Sequence, residues 1–139
     1  MSRRRKAREA VLKSLYAHES VGGDPQSFLI SVLEEIKMDD RTTKFASDLY
    51  QIICTNMEKI DSEIVHHAQR WDISRVALID KNIMRIAICE MLYFPDIPSK
   101  VSINEAIEMA KKFSTDESAG FVNGILNAVF KQHETELET

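Results

Sequence analysis

Glycine, proline and cysteine are all scarce in this 139-residue chain, with four, three and two copies. A collagen-like or low-complexity chain is thereby excluded. Cys54 and Cys89 stand 35 residues apart in apolar surroundings, with no second Cys or His beside either at ligand spacing. Both read as reduced core residues, and a disulfide scaffold is excluded. Long hydrophobic runs are missing too. The longest span four residues, such as Ile86 to Cys89 and Met91 to Phe94, where a membrane-spanning helix needs about 20. The basic start runs on through Glu9, Lys13 and Glu19 without the apolar segment of a secretion signal, and those acids argue against a transit peptide. A cytoplasmic location is expected, with no membrane partner.

What remains is a composition of 44% hydrophobic and 29% charged residues, enough for one compact soluble domain. At about this size a folded chain buries close to 70% of the surface its unfolded form exposes, so neither metal nor disulfide is needed for stability. The net charge of −4 is unevenly spread. Residues 1–13 hold six bases (Arg3, Arg4, Arg5, Lys6, Arg8 and Lys13) against Glu9, a local charge of +5, while the other 126 residues sum to −9. An acidic body with one basic end suits local binding of a polyanion. A solvated terminal arm is the alternative reading.

Sustained alternation of apolar and polar residues is absent, and β-branched residues fall at helical spacing, so the chain reads as all-α. Breaks at Gly22-Gly23-Asp24-Pro25, around Asp39-Asp40, near Trp71-Asp72, across Pro95 to Pro98 and around Ser114 predict helices over about 3–20, 26–37, 41–57, 60–70, 74–93, 102–113 and 115–131. Ser102 to Glu105 and Ser114 to Glu117 fit the capping box that opens a helix. The stretch from Lys131 to Thr139 offers nothing to bury and is expected to fray. Helix 74–93 is apolar nearly all round, which places it in the middle of a bundle. On the last helix Phe121, Val122, Ile125, Leu126, Val129 and Phe130 form a core face. Gly124 within it implies close approach of a neighbouring helix backbone.

The first helix presents Ala7, Ala10, Val11, Ser14, Leu15 and His18 as its docking face, with Arg5, Leu12 and Tyr16 on the opposite side. His18 reads as a core-edge residue. Leu12 and Tyr16, at i and i+4, form a small apolar patch suited to a protein partner, unless later parts of the chain cover it. Arg3, Arg4 and Arg5 lie at the positive end of the helix dipole, where a cation typically loses about 0.3 to 1 kcal/mol. A sequence shaped for stability alone would place acids there. Cations beside free backbone amides make an anion site, and Arg can hold phosphate through two hydrogen bonds. Lys111-Lys112-Phe113 pairs two bases with an aromatic, a combination that fits single-stranded nucleic acid through phosphate contact and base stacking. Helix-end dipole matching with a core phenylalanine explains the same triplet.

Catalysis has little support. There is no Gly-rich phosphate loop, and His66-His67 diverge by about 100° on a helix, unlike metal-binding pairs at i and i+4. Glu90 lies in an apolar stripe and is expected to take a structural hydrogen bond. No cofactor or metal site is expected, and no nucleophile has a local base.

Several segments in order carry a family likeness. They are Arg4-Arg5-Lys6-Ala7-Arg8-Glu9-Ala10 with Leu15-Tyr16, Ile83-Met84-Arg85-Ile86-Ala87 with Glu90, Ile97-Pro98, Val101 to Ala106, Ala110-Lys111, and Phe121-Val122-Asn123-Gly124-Ile125-Leu126. Together they resemble the NusB family of bacterial transcription antitermination factors over nearly the whole chain, although residues 20–70 match only in helical character. The resemblance implies an all-helical domain of about seven helices in two packed subdomains, 1–58 and 59–131, with a tail at 132–139. It also implies a ribosomal-protein partner called NusE and a ligand, single-stranded boxA RNA of nascent ribosomal transcripts, through which RNA polymerase is made to resist termination.

By position, Arg4, Arg5, Lys6 and Arg8 match the family's arginine-rich RNA-binding stretch. Phe113 and Phe121 match aromatics near the RNA, and Tyr16 and Asp80 match partner-facing positions. Lys6 departs from a common third Arg, which weakens bidentate phosphate holding there, and Asp80 replaces a longer acid. The same domain occurs fused to ribosomal RNA methyltransferases as an RNA-binding module; a helical interaction module, monomeric or homodimeric when free, is the reading from another class.

Overall fold

Polar caps, glycines and prolines divide the computed structural model into seven helices among its described residues, which are 2–68 and 76–138, with side chains to 134. They are α1 (Arg3–Val21), α2 (Pro25–Glu35), α3 (Asp40–Thr55), α4 (Met57–His67), α5 (Leu78–Tyr93), α6 (Ser99–Phe113) and α7 (Asp116–Glu138). The all-helical fold expected from the sequence is the one observed. The chain separates into two compact units, Met1–Thr55 and Asn56–Thr139. The break expected near Trp71-Asp72 lies outside the described residues.

In the first unit, Ser2 opens α1 by accepting a hydrogen bond from the Arg5 amide at 3.1 Å. Gly22 and Gly23 close it with φ of 82° and 100°, a left-handed region that residues bearing a Cβ rarely enter. His18 braces this turn as the core-edge residue expected: its Nε2 lies 3.0 Å from the Gly23 carbonyl oxygen, and its ring meets Phe28 edge-on. Asp24 caps α2 through the Gln26 amide at 3.2 Å, followed by Pro25 in the first helical turn.

Helix α1 packs on both α2 and α3. Two flanking neighbours bury a wider arc than the sequence pattern suggests, and this corrects the placement of Leu12. Only 2% of Leu12 is exposed, in a core with Ala10, Val11, Leu15, Leu29, Leu49 and Ile53. Tyr16 stays 45% exposed. The Tyr50 hydroxyl donates to the Pro25 carbonyl at 2.8 Å and ties α3 to the start of α2; burial pushes its phenol well above the ordinary value.

In the second unit α5 touches α4, α6 and α7, and every residue from 82 to 90 is buried, so the central position expected for this helix is observed. It starts at Leu78 and not at 74. Its buried polar residues include Arg85 and Glu90. The Arg85 guanidinium forks onto Asp61 of α4, with Nε 2.7 Å from Oδ1 and Nη2 2.8 Å from Oδ2, while Nη1 donates to the Asn82 side chain at 2.9 Å. Glu90 is fully buried and accepts a 2.7 Å hydrogen bond from the Ser102 hydroxyl.

That hydroxyl accounts for one correction. Ser102 does not cap α6, because the extended backbone of Pro98 lets the helix start a turn earlier, at Ser99. The cap of α7 is displaced by one residue: Thr115 Oγ1, not Ser114, accepts from the Ser118 amide at 3.0 Å. Helix α7 also continues to Glu138, past the expected end at 131. Gly124 is exposed, and a Cβ built there would meet nothing within 4 Å. The expected close helix approach is not its reason.

His133, on the extended part of α7, reaches α4, where its Nε2 lies 3.4 Å from Glu63 Oε1; Lys59 Nζ is 3.1 Å from the same oxygen. His67 Nε2 lies 3.9 Å from Glu63 Oε2. Burial, then the neighbouring His66 and His133, hold the His67 pKa below its ordinary 6.5, outweighing the attraction of Glu63. The unfolded chain therefore takes up the proton first as pH falls. The stabilisation is complete above about pH 6.5, declines as pH drops through that value, and is lost below the lowered folded-state pKa. Urea unfolding at pH 7.5 and 5.5 is expected to show this decline, and His67→Gln is expected to flatten it. An unchanged slope in that variant would assign the pH dependence to other groups.

Candidate nucleic-acid and partner interface

The basic side chains of the first unit are not equivalent. Arg3, Arg4 and Lys6 are exposed, Arg5 is half-buried and Arg8 is only 3% exposed. The inward turn of α1 that carries Ala7 and Ala10 also carries Arg8 into the protein, where its guanidinium lies 5.7 Å from the Phe45 ring centroid. Arg8 is therefore a buried side chain packed at this surface and not one of its open cations. Arg4, one turn earlier, lies over the same ring at 4.6 Å and remains exposed.

The connection between α2 and α3 supplies further anchors. Lys6 Nζ donates to the Lys37 carbonyl at 3.1 Å, and Arg3 pairs with Asp39 at 3.2 Å on the surface. Asp39 also caps α3, accepting from the Thr42 amide at 2.8 Å. Hydrogen bonds from Thr42, followed by the nearby Arg3 and Arg41 charges, hold its carboxyl below the usual range. The basic turn is thus fastened at several points, while Arg3, Arg4 and Lys6 stay open to solvent beside the first amides of α1. Such a surface can accept phosphate oxygens through side-chain cations and the positive helix end together.

In the second unit the end of α6 places exposed Lys111 and Lys112 beside a half-buried Phe113, with Lys112 Nζ 5.2 Å from the Phe113 ring centroid. Lys111 Nζ is 3.9 Å from Glu108, a weak surface pair. Phe121, in the second turn of α7, is half-buried, a boundary position that reconciles its core pattern with its family match. Both aromatics are thus partly open to solvent.

Of the side chains expected to meet a protein partner, Tyr16 alone is exposed. Leu12 is in the core, and Asp80 is 4% exposed. Asp80 sits in the first turn of α5, where the helix dipole favours a carboxylate. The partner-facing position that the resemblance implies for Asp80 is thus held by a buried carboxylate. Phe45 went unread in the sequence: it falls at an apolar position of an amphipathic helix, and only the approach of α1 to α3 reveals its two cationic neighbours.

A family model described as the NusB family matches residues 5–131. The transcription antitermination protein NusB of Chloroherpeton thalassium is 44% identical over 130 residues, 93% of this chain. The chain spans 62% of the length of that relative. Among solved structures, T. maritima NusB is 36% identical, with a TM-score of 0.88 over 100% of this chain and 99% of the other. A chain in a crystal structure of the antitermination factors NusB and NusE in complex with dsRNA is 25% identical, with a TM-score of 0.87 over 95% of this chain and 98% of that one.

Proposed function

This chain belongs to the NusB family, and from that premise we propose that it is a transcription antitermination factor acting in the cytoplasm. It binds boxA-type RNA of nascent ribosomal transcripts together with NusE and helps RNA polymerase resist termination. The reading is of an RNA-binding regulator, not an enzyme. The observation that carries it is the group of exposed cations Arg3, Arg4 and Lys6 at the amino end of α1. Lys111, Lys112, Phe113 and Phe121 offer further phosphate and stacking contacts, and Tyr16 supplies a contact to NusE. Two modest interfaces on one transcript reinforce one another, because each raises the local concentration of the other component.

The test is binding of labelled boxA RNA, single-stranded and duplex, with and without NusE, against a scrambled RNA of equal length. For single-stranded RNA, affinity is expected to fall by about 0.7 log unit per log unit of salt for each phosphate neutralised. Replacing Arg3, Arg4 and Lys6 with Ala is expected to flatten that slope by about 2 and weaken binding. An affinity indifferent to salt and to the triple replacement would remove the RNA role.

A further inference from the structure

We infer that Phe45 is a positioning residue for RNA binding: the face of its ring holds the Arg4 guanidinium at the surface, ready to meet a phosphate. The inference deepens the RNA-binding reading above and rests on it. Phe45 is 9% exposed, so its ring is fixed by the core of the first unit. Arg4 lies over it at 4.6 Å and Arg8 at 5.7 Å, both within the range in which a ring quadrupole attracts a cation. The order along α1 matters. Arg8 is buried and Arg4 exposed, so of the two arginines at this ring Arg4 is the one open to solvent.

The remaining contacts point to the same arrangement. Lys6 is tied to the Lys37 carbonyl, Arg3 to Asp39, and Asp39 is itself fixed as the cap of α3 through Thr42. Residues 37–45 thus form a cradle for the basic turn, with Phe45 as its apolar floor. An arginine carries many rotamers, and a phosphate contact made by a freely moving side chain must offset their loss on binding. Stacking restricts those rotamers before the ligand arrives, so binding loses less freedom. An aliphatic residue could fill the same core space but offers no quadrupole to orient the guanidinium. The ligand chemistry is the phosphate backbone, so the effect is expected to be independent of base sequence.

The experiment compares Phe45→Leu, Phe45→Tyr, Arg4→Ala and the double variant Arg4→Ala with Phe45→Leu in the full chain. Each is titrated with fluorescent single-stranded boxA RNA and with scrambled RNA, and thermal unfolding is followed on the same samples. Phe45→Leu is expected to weaken both RNAs about fivefold to tenfold, within the range of a partly desolvated cation–π contact, and Phe45→Tyr to restore binding. In the Arg4→Ala background Phe45→Leu is expected to add nothing, since the two act through one contact. Wild-type affinity in Phe45→Leu, or an equal loss in the Arg4→Ala background, overturns the positioning role. So does failure of the Tyr variant to restore binding while it folds normally. If Arg4→Ala weakens binding and Phe45→Leu does not, this inference alone falls. If neither affects RNA while the triple replacement of Arg3, Arg4 and Lys6 does, this inference again falls alone; if the triple replacement is also without effect and affinity ignores salt, the RNA-binding reading falls with it.

Discussion

Leu12→Ala is expected to destabilise the amino-terminal unit by about 3 kcal/mol, whereas Tyr16→Asp, one turn along the same helix, is expected to leave the fold intact and abolish binding to NusE. Leu12 is 2% exposed and loses several methyl and methylene contacts in a core that closes only partly over the gap. Tyr16 is 45% exposed, and a substitution at an open surface site usually changes stability by about 0.5 kcal/mol or less. An aspartate placed in a contact that buries a tyrosine ring must, however, be desolvated without a partner. Urea unfolding measures the first effect and calorimetric titration with NusE the second. Loss of helical circular dichroism in Tyr16→Asp would return Tyr16 to a structural role; a stable Leu12→Ala variant that fails to bind NusE would place Leu12 in the partner contact after all.

The second large effect lies in the other unit. Asp61→Ala is expected to cost about 3 kcal/mol, the lower end of what breaking a buried ion pair removes. The Arg85 side chain is 6% exposed while Asp61 is 35% exposed, so water reaches the carboxylate and moderates the loss. Removing both charges is a different experiment. Asp61→Leu combined with Arg85→Met replaces the pair by apolar groups and is expected to recover most of the stability, because neither ion then has to leave water. Denaturant melts of the single and double variants decide the point. A single-variant loss below about 1 kcal/mol would mean that water takes the place of the carboxylate.

Much of the architecture is legible from local chemistry, and the exceptions share a cause. Helix α5 announces its central position because apolar residues surround its axis, and that pattern needs no knowledge of the neighbours. Gly22-Gly23-Asp24-Pro25 marks a turn because glycine accepts positive φ and proline opens the next helix. The caps are less secure. Ser102 matches a helix start within its own tetrapeptide, but its true partner is Glu90, twelve residues earlier, and no local rule weighs that alternative against the cap. The burial of Leu12 and Arg8 is hidden from the sequence for a related reason: the width of the arc that α1 buries depends on having α2 on one flank and α3 on the other. Burial of Asp80 at the start of α5 likewise depends on surroundings that a motif match does not supply. Within the candidate interface, Arg3, Arg4 and Lys6 stand out as charges at a helix start, while the Phe45 platform becomes visible only when two helices distant in sequence are brought together.

The buried contact between Glu90 and Ser102 bears on how helices choose an alignment. Two apolar surfaces tolerate sliding, since one ridge-and-groove fit resembles the next. Displacing α6 along α5 by one helical turn, about 5.4 Å, would carry the serine hydroxyl beyond reach of the carboxylate and break this hydrogen bond inside the core. The lost hydrogen bond adds its own cost to the slipped arrangement, one that apolar surfaces alone would not impose. A single oxygen pair thereby acts as an index mark, selecting one among several sterically acceptable settings of the two rods.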